Sequence, residues 1–312
     1  MHDAERTVVG CGADVRRAGY TSGTMQDALV HIDAFGDPYC PWDFSAEPAR
    51  LRLHWRFGDA IAIRHRMVGL SSTLDEYARR GVAIEAIARA HAHIRDRFGM
   101  PIDASLPGRY TVTVVACRAV VGVRRNAPDH ADAFLRALRV VGLSTPAMID
   151  DPETISDAAR AAGLDPDEVV AWSAEPATDQ ELADDMAAAR APSPAALGMP
   201  ERLAKTVDGI WRYTCPSYRF TRDELTLDAP GFQPSRVYEV IISNLAPEIT
   251  PRPDPQTVEE VLAWAPYPLA TAEVAGIMEI AIDAARDRLV ASTAHPAPMA
   301  NDAYWSLTPP AA

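Results

Sequence analysis

The sequence has almost no lysine: Lys205 is the single one, and acidic residues outnumber lysine plus arginine by 43 to 30. A formal net charge of −13 does not suit a surface that follows nucleic-acid phosphates, because such surfaces need clustered cations. No stretch approaches the roughly 20 consecutive apolar residues of a transmembrane helix, and polar residues 1–23 contain no signal-peptide core. We therefore predict a cytoplasmic protein that binds neither nucleic acid nor membranes.

Cysteine is also scarce, and the four cysteines are Cys11, Cys40, Cys117 and Cys215. Their wide spacing in a chain without an export signal does not favour a structural disulfide framework. Cys117 lies on a helical apolar stripe, which favours a small buried hydrophobe over a reactive thiol, and the same interpretation is given to Cys11. The 48% hydrophobic content is enough for a sizeable core in one large domain, or in one domain with an appendage.

The fold is predicted to begin near residue 29, where an alternating strand ends at a Gly-Asp-Pro turn. A helix over about 42–57 and a second alternating strand over 60–68 complete a β-α-β unit, whose crossover predicts parallel pairing. The pattern then becomes helical over about 73–190. It returns to a strand hairpin over 211–228, with a closing helix over 235–245.

Three parts follow from this pattern. Residues 1–28 form an N-terminal arm, residues 29–252 form an α/β domain with a large helical insertion, and residues 253–312 form a C-terminal extension. A proline-rich linker with Pro247, Pro251, Pro253 and Pro255 leads into the extension, which is predicted to be helical because its apolar residues recur at helical spacing.

Cys40 stands directly after the first strand and its turn, at the start of the next helix. A cysteine there meets unpaired backbone N–H groups and the positive end of the helix dipole, and both favour thiolate. Pro41 suits the first helical turn because its φ is fixed and it needs no N–H partner. Cys40 is therefore predicted to be the nucleophile.

The sequence around these positions resembles the DsbA-like family of thioredoxin-fold proteins, which includes 2-hydroxychromene-2-carboxylate isomerases and FrnE-type proteins. The matching segments are Asp37-Pro38-Tyr39-Cys40-Pro41-Trp42, the strand 61–68, Tyr213-Thr214-Cys215-Pro216-Ser217-Tyr218 and Gly231-Phe232-Gln233-Pro234. The resemblance implies a thioredoxin-like fold in which a helical insertion separates the two halves. It also implies that Pro216 is the family's cis-proline opposite Cys40, with Cys215 facing the same site.

The sequence departs from the family's C-x-x-C motif at its fourth position, where Asp43 replaces the second cysteine. The negative charge of the Asp43 carboxylate would oppose thiolate formation at Cys40, yet the carboxylate could carry a proton to and from a reacting group. The structural alternative is an acidic residue that the positive end of the helix dipole favours. Cys215 could pair with Cys40 or share a metal with it. Two thiols and one carboxylate lack the usual completion of a zinc site, so no metal is predicted.

A single motif cysteine favours reversible addition of a thiolate to an electrophilic carbon. The leading prediction is therefore a thiol-dependent cis–trans isomerase of a conjugated small molecule, in secondary metabolism. Cys40 would be the nucleophile, Asp43 the proton relay and Cys215 its neighbour. The predicted substrate-binding residues are Tyr39, Pro41, Trp42, Pro216 and Ser217.

No cofactor is required by this mechanism, although glutathione or mycothiol could supply the thiol. One alternative is a monothiol disulfide oxidoreductase or thiol transferase, in which Cys215 or a small thiol resolves a mixed disulfide. Another is a thioredoxin-fold binding protein without catalysis. The sequence names no substrate, and it leaves the oligomeric state open, with a homodimer as one option.

Overall fold

The computed structural model describes residue 24 and residues 27–309, so most of the predicted N-terminal arm, with Cys11, lies outside the described residues. The strands are β1 (Val30–Gly36), β2 (Ile61–Met67), β3 (Leu203–Lys205), β4 (Trp211–Tyr213), β5 (Ser217–Arg222), β6 (Leu225–Ala229), β7 (Leu269–Ala270), β8 (His295–Met299) and β9 (Asp302–Ser306).

The helices of the α/β domain are α1 (Pro41–Phe44), α2 (Glu47–Phe57), α3 (Glu76–Arg79), α4 (Ile84–Phe98), α5 (Thr113–Asn126), α6 (Ala131–Ser144), α7 (Pro152–Ala161), α8 (Pro166–Ser173), α9 (Pro176–Ala189), α10 (Pro194–Leu197) and α11 (Ser235–Leu245). The extension adds α12 (Val258–Trp264), α13 (Thr271–Met278) and α14 (Ile282–Ala291). Within the described residues, none of these helices is long and apolar enough to cross a membrane.

A four-stranded sheet in the order β2-β1-β5-β6 forms the centre of the domain. Strands β1 and β2 are parallel, with Val30 opposite Ile61, as the β-α-β pattern predicts. Strand β5 runs antiparallel to β1 on its other side, and β6 pairs with β5. The central strand β1 buries Val30, Ile32 and Ala34. Its carboxyl end therefore leads into the first helix from the middle of a covered sheet.

The predicted first helix is in fact two helices. Helix α1 ends at Phe44, and α2 starts at Glu47 after a break at Ser45 and Ala46. Pro48, in the first turn of α2, lacks a backbone N–H, which suits it to a helix start rather than to the interior of one continuous helix.

Helices α3 to α9 occupy the predicted insertion and enclose a core of their own. Its largest contributors lie on α5 and α6, including Val120, Val121, Phe134 and Leu138. Helix α9 contacts β2, so the insertion covers the β2 edge of the sheet. This arrangement confirms the predicted α/β thioredoxin-like class with a large helical insertion.

The extension contains the expected helices and, in addition, a three-stranded antiparallel sheet in the order β7-β9-β8, which the sequence pattern did not indicate. Strand β8 carries Pro296 and Pro298, residues that lack a backbone N–H and are usually read as strand breakers. They are tolerated because β8 is the edge strand of this sheet.

The extension packs closely on helix α2. A Cβ atom placed on Gly276 of α13 would lie 2.5 Å from Cβ of Pro48, so the two helices touch where glycine leaves room. The buried Arg136 side chain of α6 also forms an ion pair with Glu273 of α13. The extension is thus joined both to α2 and to the insertion.

This close approach predicts that Gly276→Val lowers the free energy of unfolding by about 1–3 kcal/mol, because overpacking forces the two helices apart. Urea denaturation measures the change. Gly108→Val is the matched control, since Gly108 is exposed and its Cβ position has no atom within 4 Å. Equal stability of the two variants would contradict the tight α2–α13 contact.

Candidate active site

Cys40 occupies the N-cap position of α1, with φ −89° and ψ 112°, and Pro41 is the first helical residue, as predicted. The backbone N–H of Cys40 donates to the Asp37 carbonyl at 3.1 Å, and the Cys40 carbonyl accepts from Phe44 N–H at 2.9 Å. Only 6% of the residue is exposed. The cysteine therefore stands at the carboxyl end of β1, held by the turn before it and the helix after it.

Cys215 lies against Cys40 from the opposite side of the site. The Cys40 thiol donates to the Cys215 carbonyl at 3.6 Å, and the two residues belong to the same buried cluster. Both cysteines are free thiols. The Cys215–Pro216 peptide bond is cis. The structure thus brings Cys40 together with Cys215 and Pro216, although Cys40 and Cys215 are 175 residues apart in the sequence.

The interaction with the Cys40 side chain, together with burial, raises the pKa of Cys215 well above its ordinary value. The positive charge of Arg212 opposes this shift but does not reverse it. Cys215 is consequently held as a neutral thiol.

Asp37, a residue of the predicted turn, fixes the loop that carries Cys40. Its side chain is fully buried and accepts hydrogen bonds at 2.9 Å from Tyr39 N–H, Leu70 N–H and the Thr113 hydroxyl. Burial raises its pKa in spite of these hydrogen bonds. Asp37 therefore ties the end of β1 to the start of helix α5.

Cys117 is buried on α5, as its place on a helical stripe predicts. Its thiol donates to the Asp37 carboxylate at 3.6 Å. Burial raises the pKa of Cys117 well above its ordinary value, and the charge of Asp37 adds to the shift. Cys117 is thus a neutral thiol that supports the loop, and it lies outside the Cys40–Cys215 pair.

Asp43 is almost fully buried beneath Cys40, where two arginines hold its carboxylate. Arg50 Nη1 donates to Asp43 Oδ1 at 2.8 Å, and Arg139 forms a second ion pair with Oδ2. Asp37 N–H also donates to Oδ2 at 3.2 Å. A Cβ on Gly36 would lie 2.1 Å from this oxygen, so only glycine leaves room for it. These contacts favour a structural role for Asp43, and its role as a proton relay stays a prediction.

Glu47 completes this group, and we call Asp43, Glu47, Arg50 and Arg139 the buried charge network. Both arginines also pair with Glu47, and each of the four residues is at most 6% exposed. Burial alone would raise the pKa of Glu47, but the charges of Arg50 and Arg139 outweigh it and hold the pKa well below its ordinary 4.5. The network joins α1, α2 and α6 beneath the thiol.

The predicted substrate-binding residues do not form one wall. Trp42 packs against the cluster that contains Cys40 and Cys215, and its ring makes edge contacts with Phe98 at 5.4 Å and Phe232 at 6.2 Å. Tyr39 instead turns toward the insertion, where its ring meets His91 at 5.8 Å. Trp42 is therefore the aromatic side chain of the motif that packs with the thiols.

Ser217 is fully buried and accepts a hydrogen bond from Gly231 N–H at 2.9 Å, so it supports the loop behind Pro216.

Among residues 27–309, no three His, Cys, Asp or Glu side chains converge in a way that could hold a metal ion.

Several residues near the thiols were not found from sequence. They are Arg50 and Arg139 in the buried charge network, Arg212, three residues before Cys215, and Arg190, which donates to the Val68 carbonyl. Only the spacing of Glu47 and Arg50, three residues apart on α2, carried a local signal. The others reach the site from distant segments.

The depressed pKa of Glu47 gives a pH prediction. Ionised Glu47 stabilises the fold above pH 4.5, and this contribution is lost as the pH falls toward its folded pKa. At pH 7, Glu47→Gln should lower the free energy of unfolding by about 3–5 kcal/mol, because two buried arginines lose a partner. In urea denaturation the gap to the wild type should narrow below pH 4.5.

Glu224→Gln serves as the control, because Glu224 is exposed, and its stability should follow the wild type at every pH. A gap for Glu47→Gln that stays constant from pH 7 to acid would contradict the role of Glu47.

The geometry also predicts the order of thiol reactivity. Limiting iodoacetamide at pH 8 should label Cys40 first, because the pKa values of Cys117 and Cys215 are both raised by their surroundings. Peptide mass spectrometry identifies the labelled thiol, and Cys40→Ser should lose the fast phase. Faster labelling of Cys117 would place the reactive thiol elsewhere.

Comparison with known proteins supports the fold that the geometry indicates. No family model matches the chain. The ClpXP adapter protein SpxH of Shouchella clausii is 22% identical over 270 residues, which cover 83% of this chain and 81% of that protein.

Two solved structures, whose functions are assigned provisionally, share the architecture. A protein disulfide isomerase of Nitrosomonas europaea matches with a TM-score of 0.55 and 14% identity over 70% of this chain and 98% of its own. A DsbA oxidoreductase of Streptomyces coelicolor matches with a TM-score of 0.50 and 18% identity over 72% of this chain and 93% of its own. With Cys40 at the head of α1 and Cys215 before a cis-proline, the chain has the DsbA-like thioredoxin fold.

Proposed function

We propose that this protein is a thiol–disulfide exchange enzyme in which Cys40 attacks the substrate disulfide and Cys215 resolves the mixed disulfide. The observation that carries the proposal is the hydrogen bond from the Cys40 thiol to the Cys215 carbonyl, which places the two free thiols in one buried cluster. A second thiol that touches the nucleophile can do the work of the cysteine that Asp43 replaces in the motif.

The first step begins when Cys40 gives its proton to solvent. Its thiolate attacks one sulfur of the substrate, the substrate S–S bond breaks, and the other half leaves as a thiolate. The product is a mixed disulfide on Cys40. Cys40 attacks before Cys215 does, because the interaction with Cys40 and burial raise the pKa of Cys215 and keep that thiol protonated.

In the second step Cys215 loses its proton and attacks the Cys40 sulfur, which expels the remaining half of the substrate as a thiolate. Two electrons have then passed from the two cysteines to the substrate, and a Cys40–Cys215 disulfide is left. A dithiol or two molecules of a small thiol, glutathione or mycothiol, restores both cysteines.

The isomerase predicted from sequence has weaker support. That mechanism uses Asp43 to carry a proton, whereas two buried arginines and a backbone N–H hold the Asp43 carboxylate. A carboxylate in ion pairs with two guanidinium groups is a poor proton carrier, since protonation would break both pairs. Exchange at sulfur needs no such relay.

A second candidate is a protein-binding role without turnover. Its support is the similarity to SpxH, whose name describes a ClpXP adapter, and the part-exposed aromatic group of Trp42, Phe98 and Phe232 beside Cys40. Part-exposed aromatic side chains that lie together are typical of protein-binding surfaces. Such a role would not depend on the Cys40 thiol.

The test is reduction of a glutathione mixed disulfide and of insulin by the purified protein. Cys40→Ser should abolish turnover, and Cys215→Ser should lower it at least about tenfold and accumulate a mixed disulfide on Cys40 that mass spectrometry detects. Cys117→Ser is the matched control, because this buried thiol lies outside the pair, and its turnover should equal that of the wild type.

Mild oxidation of the wild type should also yield a Cys40–Cys215 disulfide in a non-reducing digest. Wild-type protein that exchanges no disulfide would overturn the proposal and leave the binding role. Full turnover by Cys215→Ser would assign resolution to an external thiol.

A further inference from the structure

Two arginines near the buried cluster of the thiols form no ion pair with a carboxylate among residues 27–309. Arg212 lies in β4, three residues before Cys215, and is 8% exposed. Its Nη1 donates to the Tyr213 carbonyl at 2.8 Å. In a chain with 43 acidic residues, a buried guanidinium that contacts only a carbonyl retains donors for a negatively charged ligand.

Arg190 is the second arginine and follows directly after helix α9. Its Nη1 donates to the carbonyls of Met186 at 2.8 Å and Val68 at 3.3 Å. Val68 belongs to the same buried cluster as Cys40 and Cys215, so the Arg190 side chain reaches the rim of the thiol site. It is half-buried, which leaves it accessible from solvent.

Both guanidinium groups bind carbonyls of residues that pack on the carboxyl end of β1. Val68, the partner of Arg190, donates its N–H to the Gly36 carbonyl at 2.8 Å. Tyr213, the partner of Arg212, stacks on Phe35 with ring centres 4.5 Å apart. Burial lowers the pKa of Arg190, and the positive charge of Arg212 lowers it further. Two cations with no anion between them are an arrangement that an anionic ligand would relieve.

Negative groups also face this region. Glu76 acts weakly on Arg190, but its carboxylate accepts from Ser72 N–H at 2.7 Å and forms no ion pair with Arg190. Asp37 is fully buried on the inner side of the thiols, where it is occupied by the hydrogen bonds of its loop. Neither carboxylate neutralises the two arginines.

We propose that Arg190 and Arg212 bind a carboxylate of the substrate beside the Cys40–Cys215 pair. This inference rests on the proposed exchange function and adds its substrate class, an anionic disulfide or thiol. A planar guanidinium offers the paired N–H donors that match a carboxylate. The bound carboxylate would direct the sulfur of the substrate toward Cys40.

The test compares iodoacetate with iodoacetamide, two reagents of nearly equal size of which only the first carries a carboxylate. The ratio of their alkylation rates at Cys40, divided by the same ratio for a free cysteine peptide, removes the effect of thiolate fraction. Arg190→Gln and Arg212→Gln should each lower this ratio about three- to tenfold, because local positive charge raises the encounter rate with anions. Arg190→Lys and Arg212→Lys should retain most of it.

Arg89→Gln is the control, because Arg89 is an exposed arginine of α4, and its ratio should equal that of the wild type. In the wild type the ratio should also fall as salt rises. Unchanged ratios in both glutamine variants would overturn the inference and leave the arginines as structural residues. Should Arg212→Gln fail to fold, the half-buried Arg190 still decides the result.

Alkylation needs no turnover, so the two proposals fail separately. A charge-dependent ratio in a protein that reduces no disulfide would retain the anion site and overturn the exchange function. A charge-independent ratio in a protein that does reduce disulfides would retain the exchange function and overturn the anion site.

Discussion

The buried charge network beneath Cys40 is the constraint on which the rest of the site depends. Asp43 and Glu47 come from the segment that carries the thiol, whereas Arg139 comes from α6 in the insertion. Burying four charges is costly unless every one is paired, and removing one partner leaves an uncompensated charge. The network therefore fixes α1 against both α2 and α6, and the position of Cys40 follows from it. It also means that Asp43 is not simply a cysteine lost from a redox motif, because a cysteine there would leave Glu47 as the one carboxylate of the network for two buried arginines.

A second anchor acts from the opposite side of the same turn. Asp37 binds the backbone of Tyr39 and Leu70 and the hydroxyl of Thr113, so the loop before Cys40 has no freedom of its own. Cys40 thus lies between two carboxylates with different tasks. One is paired with cations and fixes the helix, and the other is surrounded by neutral donors and fixes the loop. A nucleophile held in this way meets its partner thiol with little conformational adjustment.

The features that sequence predicted are those with a local signature. The β-α-β unit followed from alternation and helical spacing, and Cys40 with Pro41 followed from the junction of a strand, a turn and a helix. Pro216 and Cys215 came from resemblance to a family. Arg139, Arg190 and Arg212 had no such signature, because their importance arises from contacts between distant segments. Strand β8 was missed because its prolines usually exclude a strand, and only its place at the edge of a sheet makes them acceptable.

The linker that joins the extension to the domain is itself held against α2. Arg252 N–H donates to the Arg56 carbonyl at 2.7 Å, the Arg252 guanidinium stacks 3.5 Å from the centre of the Trp55 ring, and Trp55 donates to the Pro253 carbonyl at 2.8 Å. The proline-rich linker is therefore bound along α2. Movement of the extension relative to the domain would break these contacts with α2, the helix that carries Glu47 and Arg50. The extension therefore supports the helix that carries two of the four members of the buried charge network.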